Sequence, residues 1–196
     1  MKNNFIDWLL WSVERVGEGY FGHSERVYCY ELYHLMRAKM HMHEENEPGS
    51  LDEVFLHSEP VKVVLNSEKA EHLEVWPLRM RRMPDFILHS PGDFNHQIAT
   101  MEVKVVRLSY EALVDDLLKL TEMIGSYKYQ LGVFLCINNS MGLIVEHIRT
   151  IIESQVQIND DIQIVIKPSF HEDIIIKSVG ELIAELNEED SVEPSH

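Results

Sequence analysis

No run of this sequence reaches the roughly 18 uninterrupted apolar residues that a membrane-crossing helix requires. Residues 1–16 carry Asp7 and Glu14, where a secretory leader would be uncharged. Both absences predict a soluble protein that is not exported, with the cytoplasm as its expected compartment. Cysteine is scarce, with Cys29 and Cys136 alone. Neither has a CxxC or Cys/His partner at zinc-site spacing, and each sits among apolar neighbours, as buried free thiols in a reducing compartment would. There is no internal repeat. Positive charge is also short, with 17 Lys and Arg against 33 Asp and Glu for a formal net charge of −16. Such a deficit argues against nucleic acid, where basic side chains displacing counterions supply most of the affinity. Its distribution softens the argument: residues 44–59 and 178–196 hold six acids each and no Lys or Arg, and without them 21 acids face 17 bases.

What is present suits one domain. A chain of 196 residues that is 45% hydrophobic can fill a single core of helices packed on a sheet. Residues 3–16 have apolar positions at helical spacing, and Gly17, Gly19 and Gly22 then predict a loop. Ser24 is placed as the N-cap of a second helix reaching about His43, with Tyr28, Cys29, Leu32, Leu35, Met36 and Met40 on one stripe. Residues 44–50 read as an acidic surface loop, followed by short β-branched runs near 54–57, 61–65 and 73–76. Residues 85–89 and 98–106, separated by a turn-rich segment, predict a hairpin. A helix over Tyr110–Gly125, an apolar strand over 130–138, a helix over 141–154 and a strand over 162–167 complete an α/β sandwich around a mixed sheet. The expected domain is 1–186, with 187–196 an acidic, disordered tail.

Glu102 and Lys104 stand two apart in a predicted strand, so their side chains leave the same face. Asp85 begins the partner strand, which puts it opposite or diagonal to Glu102, with Cβ atoms roughly 5 to 8 Å apart. Hard carboxylate oxygens in such a patch suit Mg²⁺ or Mn²⁺, and a neighbouring ammonium can offset charge on a phosphoryl transition state.

Pro84-Asp85, followed after sixteen residues by Glu102-Val103-Lys104, resembles the motif of the PD-(D/E)xK nuclease superfamily. The likeness spans residues 24–140 in pattern. It implies a restriction-endonuclease-like core, with a central mixed β-sheet flanked by helices. It also implies hydrolysis of phosphodiester bonds in DNA or RNA with Mg²⁺ or Mn²⁺. In that reading Asp85 and Glu102 hold the metal, Lys104 assists the attacking water, and a glutamate on the preceding helix completes the site. Glu25 and Glu31 both lie on that helix. Glu25 falls within the apolar stripe, where an acid is costly unless paired or metal-bound, and is preferred, with Glu31 the alternative.

Arg79, Arg81 and Arg82, with Arg107, Lys119 and Lys128, form a candidate phosphate cradle whose plainer reading is a solvated face. Asp116 and Lys119 also resemble residues found after the family's motif, against the simpler expectation of an exposed helical pair. The cluster of His41, His43, Glu44, Glu45 and Glu47 reads as solvated surface, and His89 and His96 as turn-flanking polar residues with a smaller claim as general bases. Phe5, Trp8 and Trp11 are expected to pack in the core, although the resemblance allows a homodimer. Two rival readings stand beside the nuclease. One is a nuclease-fold binding or regulatory module without cleavage; the other is an unrelated α/β domain in which these acids merely pair with arginines.

Overall fold

The structure, a computed structural model, describes residues 1–58, 83–91, 96–105 and 107–192. Along them run α1 (Lys2–Val13), α2 (Glu18–Phe21), α3 (Glu25–Asn46), β1 (Phe55–Ser58), β2 (Phe86–His89) and β3 (Gln97–Lys104). There follow α4 (Tyr110–Gly125), β4 (Gly132–Ile137), α5 (Met141–Glu153), β5 (Gln163–Lys167), β6 (Ile175–Ser178) and α6 (Val179–Val192). The six strands form one mixed sheet in the order β1-β2-β3-β4-β5-β6. Pairing is antiparallel from β1 to β3, parallel from β3 to β5, and antiparallel again between β5 and β6. Each parallel step needs a crossover, supplied by α4 and α5.

The sheet is covered on both faces. Phe5, Trp8 and Leu9 of α1 and Tyr28, Leu32 and Met36 of α3 pack with Phe86, Met101, Val103, Val133 and Leu135 on one side. Leu113, Leu117 and Leu120 of α4, with Ile144 and Ile148 of α5 and Leu182 and Leu186 of α6, pack with Phe134, Cys136, Ile164 and Ile166 on the other. Every residue of β4 is buried, as a central parallel strand requires. Each large apolar side chain so placed contributes about 1.5–3 kcal/mol. Both cysteines are buried free thiols, and burial pushes the Cys136 thiol up to about 12.

Sequence and structure differ at the ends of elements. The predicted loop at 44–50 begins late, because α3 continues to Asn46. The Glu44 carboxylate then accepts hydrogen bonds from the Gly49 and Leu51 amides and ties down the exit. A short helix, α2, occupies the glycine-rich segment expected to be a loop. The acidic segment expected to be disordered from residue 187 is helical through Val192. Its helix starts on a capping box: Ser178 Oγ accepts from the Glu181 amide at 3.0 Å, and the Ser178 amide donates to Glu181 Oε2 at 2.6 Å. Phe5 and Trp8 are core residues, whereas Trp11 is only partly covered and lies under the Arg15 guanidinium at 4.2 Å. The runs predicted near 61–65 and 73–76 lie outside the described residues.

No helix among the described residues is long and apolar enough to cross a membrane.

Candidate functional site

β3 carries two faces of opposite character. Met101 and Val103 enter the core with α1 and α3. Glu102 and Lys104, displaced by one residue, emerge toward α4. There they meet Asp116 and Lys119, one helical turn apart. Lys119 Nζ lies 2.7 Å from Glu102 Oε1 and 3.2 Å from Asp116 Oδ1. Lys104 Nζ lies 3.2 Å from Asp116 Oδ2 and 3.6 Å from Glu25 Oε2, in the first turn of α3. Glu25, Lys104, Asp116, Lys119 and Glu102 thus form a chain of alternating charge, with Asp116 bridging the two ammonium groups.

Asp85 joins from the hairpin. The described β2–β3 ladder ends with Phe86 opposite Met101, so Asp85 stands beside Glu102 one step further on. Its Oδ2 accepts the Val103 amide at 2.8 Å, taking a β3 donor that a longer β2 would have bonded through its backbone.

Burial governs the electrostatics. Glu102 is 2%, Asp116 5% and Lys119 9% exposed. Burial, then the nearby charges of Asp85 and Asp116, hold the Glu102 carboxyl well above the usual carboxylate range despite Lys119. Burial also raises Asp85, against the opposing Val103 hydrogen bond, and raises Glu25, where Lys104 opposes it. The lysines run the other way. Burial alone would lower Lys104, but Asp116 and Glu25 together more than reverse it, and Glu102 and Asp116 do the same for Lys119. Both ammonium groups therefore stay charged across the neutral range.

Four carboxylates against two ammonium groups leave a formal excess of two negative charges. Hard oxygen donors with that excess are chemically of the kind a divalent ion such as Mg²⁺ or Mn²⁺ takes. Among the described residues, no group of three or more His, Cys, Asp or Glu is arranged to hold a metal ion. Glu25, Asp116 and Glu102 turn oxygens to Lys104 and Lys119, and Asp85 turns one to the Val103 amide.

No family model, curated protein or solved structure matches this chain.

Asp85, Glu102, Lys104 and Glu25, singled out from the sequence, are thus brought to one place. Glu25 rather than Glu31 reaches the cluster, and Glu31 makes no ion pair with a described residue. Asp116 and Lys119 overturn the expectation of an exposed helical pair, since both are buried inside the site. Lys119 was also a candidate for an open nucleic-acid surface; its ammonium is instead engaged by two carboxylates. The signal that could have placed Asp116 was available: with Leu113, Leu117 and Leu120 it falls on one stripe of α4. The same criterion of an acid within an apolar stripe had favoured Glu25.

None of the remaining candidates among the described residues makes an ion pair with the cluster. Arg79, Arg81 and Arg82 fall outside the described residues. Arg107 is exposed just beyond β3, and Lys128 folds back so that Nζ donates to the Gly125 carbonyl at 2.6 Å. His89 sits at the opposite end of β2 from Asp85, its Nε2 3.2 Å from His57 Nδ1, which removes it from the cluster. His96 is exposed at the start of β3. His43 lies against the Trp8 ring while His41 pairs with Glu45, so the histidine-rich stretch at the end of α3 spreads over different directions.

Proposed function

We propose that this chain is a metal-dependent nuclease of the PD-(D/E)xK type, with a restriction-endonuclease-like core, hydrolysing phosphodiester bonds of nucleic acid. The observation that carries the reading is the convergence of Asp85, Glu102 and Lys104 with Glu25 at one end of β3. The Glu25-bearing helix, the β2–β3 hairpin, a helix and the fully buried β4 follow in the order the resemblance implies, which adds support.

Glu25, Asp85 and Glu102 would hold Mg²⁺ or Mn²⁺, which when bound neutralises phosphodiester charge and makes water more acidic. Lys104 contributes as a fixed positive charge. Held protonated by Asp116 and Glu25, it cannot accept a proton; it can donate a hydrogen bond that orients the attacking water, and it can offset charge growing on the phosphoryl oxygens. Asp116 positions Lys104 for that task. Cutting both strands of a duplex would call for a second copy of the chain.

A second reading, a nuclease-fold binding or regulatory module, is favoured by the direct Lys119–Glu102 pair, which occupies a carboxylate without a metal, and by the net charge of −16. Titration calorimetry with Mg²⁺ and Mn²⁺ on the wild type and Asp85→Ala, beside cleavage of labelled single-stranded and duplex DNA and RNA, separates the two. The nuclease reading expects metal-dependent cleavage by the wild type and loss of metal binding in Asp85→Ala. It also expects Lys104→Ala to bind metal but cleave about 10²–10³-fold more slowly. A wild type that neither binds metal nor cleaves would overturn the nuclease reading.

A further inference from the structure

We infer that Lys119 is an internal counter-cation that occupies the carboxylate cluster in the metal-free protein and competes with the divalent ion for it. The inference rests on the metal-binding reading above and adds to it a residue outside the PD-(D/E)xK motif. Lys119 Nζ sits 2.7 Å from Glu102 and 3.2 Å from Asp116, and both acids are almost wholly withdrawn from water. Two buried carboxylates this close would repel strongly without a cation between them. Lys104 cannot serve both, because it is already shared by Asp116 and Glu25. Lys119 is therefore the group that makes Glu102 tolerable in the core before any metal arrives.

The same contact makes it an obstacle. A divalent ion at Glu102 puts two positive charges where an ammonium already stands, so the lysine must leave that oxygen for the ion to bind. Its flexible four-carbon stem allows the ammonium to swing away while the helix stays in place. Removing the ammonium should leave the carboxylates with a larger negative excess and no competitor. A merely supporting lysine, by contrast, would position Glu102 for the ion, and its loss would weaken binding.

The test compares wild type, Lys119→Met and Lys119→Gln by Mn²⁺ titration calorimetry at one pH, with thermal melting in EDTA and in saturating Mn²⁺. Competition predicts that both variants bind Mn²⁺ about tenfold or more tightly than wild type, in the range of couplings between groups in direct contact. It also predicts that they melt lower than wild type in EDTA and gain more from Mn²⁺. Should a variant fold only with the ion present, Mn²⁺-dependent recovery of the melting transition supplies the same reading. Wild-type binding with equal or weaker binding by both variants overturns the inference and leaves the nuclease reading intact. Absence of Mn²⁺ binding in wild type and variants alike overturns both.

Discussion

Asp85 accepts the amide of Val103 at 2.8 Å, and Val103 is the residue between Glu102 and Lys104. One carboxylate therefore both ends the β2–β3 ladder and places negative charge beside Glu102. The two roles separate by substitution. Asp85→Asn keeps an acceptor for the amide and removes the charge; Asp85→Ala removes both. The Ala variant should lose about 1–3 kcal/mol, the range for stranding a buried donor, and the Asn variant clearly less. Both should lose metal binding. Urea denaturation of the two variants reads the first effect and calorimetry the second, and equal destabilisation by Asn and Ala would refute the structural role.

The elements legible in the sequence were those with one dominant period. Tyr110–Gly125 was predicted to its terminal residues because its apolar spacing is helical throughout and Ser109 caps its start, accepting from the Ala112 amide. The hairpin was legible from its alternation and turn formers, and its strands pair antiparallel with Phe86 opposite Met101, one residue short of Asp85. Residues 187–192 are helical where acidic composition predicts disorder, because that composition outweighs a local signal. Ser178 and Glu181 stand at capping-box spacing, but the box lies several residues before the acidic run. Asp116 and Lys119 were misjudged for a related reason. Charge at i, i+3 on a helix ordinarily faces water, and only the polar inner face of β3 makes burial affordable there.

His89 gives a pH dependence independent of the carboxylate cluster. Burial, then the adjacent His57, depresses its pKa from 6.5 to about 4, against a hydrogen bond with Gln97 that works the other way. Its folded state is neutral where the unfolded chain is already protonated. Its contribution to stability is therefore fully present above pH 6.5 and is lost as pH falls toward about 4. His89→Gln should flatten the fall in urea midpoint across that window relative to wild type. An unchanged slope would show that the His57–His89 pair carries no such linkage.

Gly132 opens β4 against the end of α4. A Cβ there would lie 2.9 Å from Ile124 Cδ1 and 3.5 Å from Ile162 Cγ1. Gly132→Ala should cost about 1 kcal/mol, at the low end of overpacking because the nearest atom is a movable methyl. Ile124→Val removes that methyl, so the double variant should recover part of the loss, and a double-mutant cycle on melting temperatures measures the coupling. Additive losses would place the strain elsewhere.

Glu102 sets the opposite pH slope from His89. Its carboxyl titrates well above the usual 4.5 because it is buried and faces Asp85 and Asp116. Above pH 4.5 the native state therefore binds more protons than the unfolded chain, and metal-free stability falls as pH rises through the folded-state value. Lys104 and Lys119 do not contribute over this range, since their raised values keep them charged in both states until strongly alkaline pH. In EDTA, wild type should lose more stability than Glu102→Gln between pH 5 and pH 8. A divalent ion takes the ionised carboxylate, so Mn²⁺ should bind with release of protons and more tightly at the upper pH. Calorimetry in two buffers of different ionisation enthalpy counts those protons. If none is released, the carboxyls are already ionised in the free protein, and burial does not hold Glu102 above the usual carboxylate range.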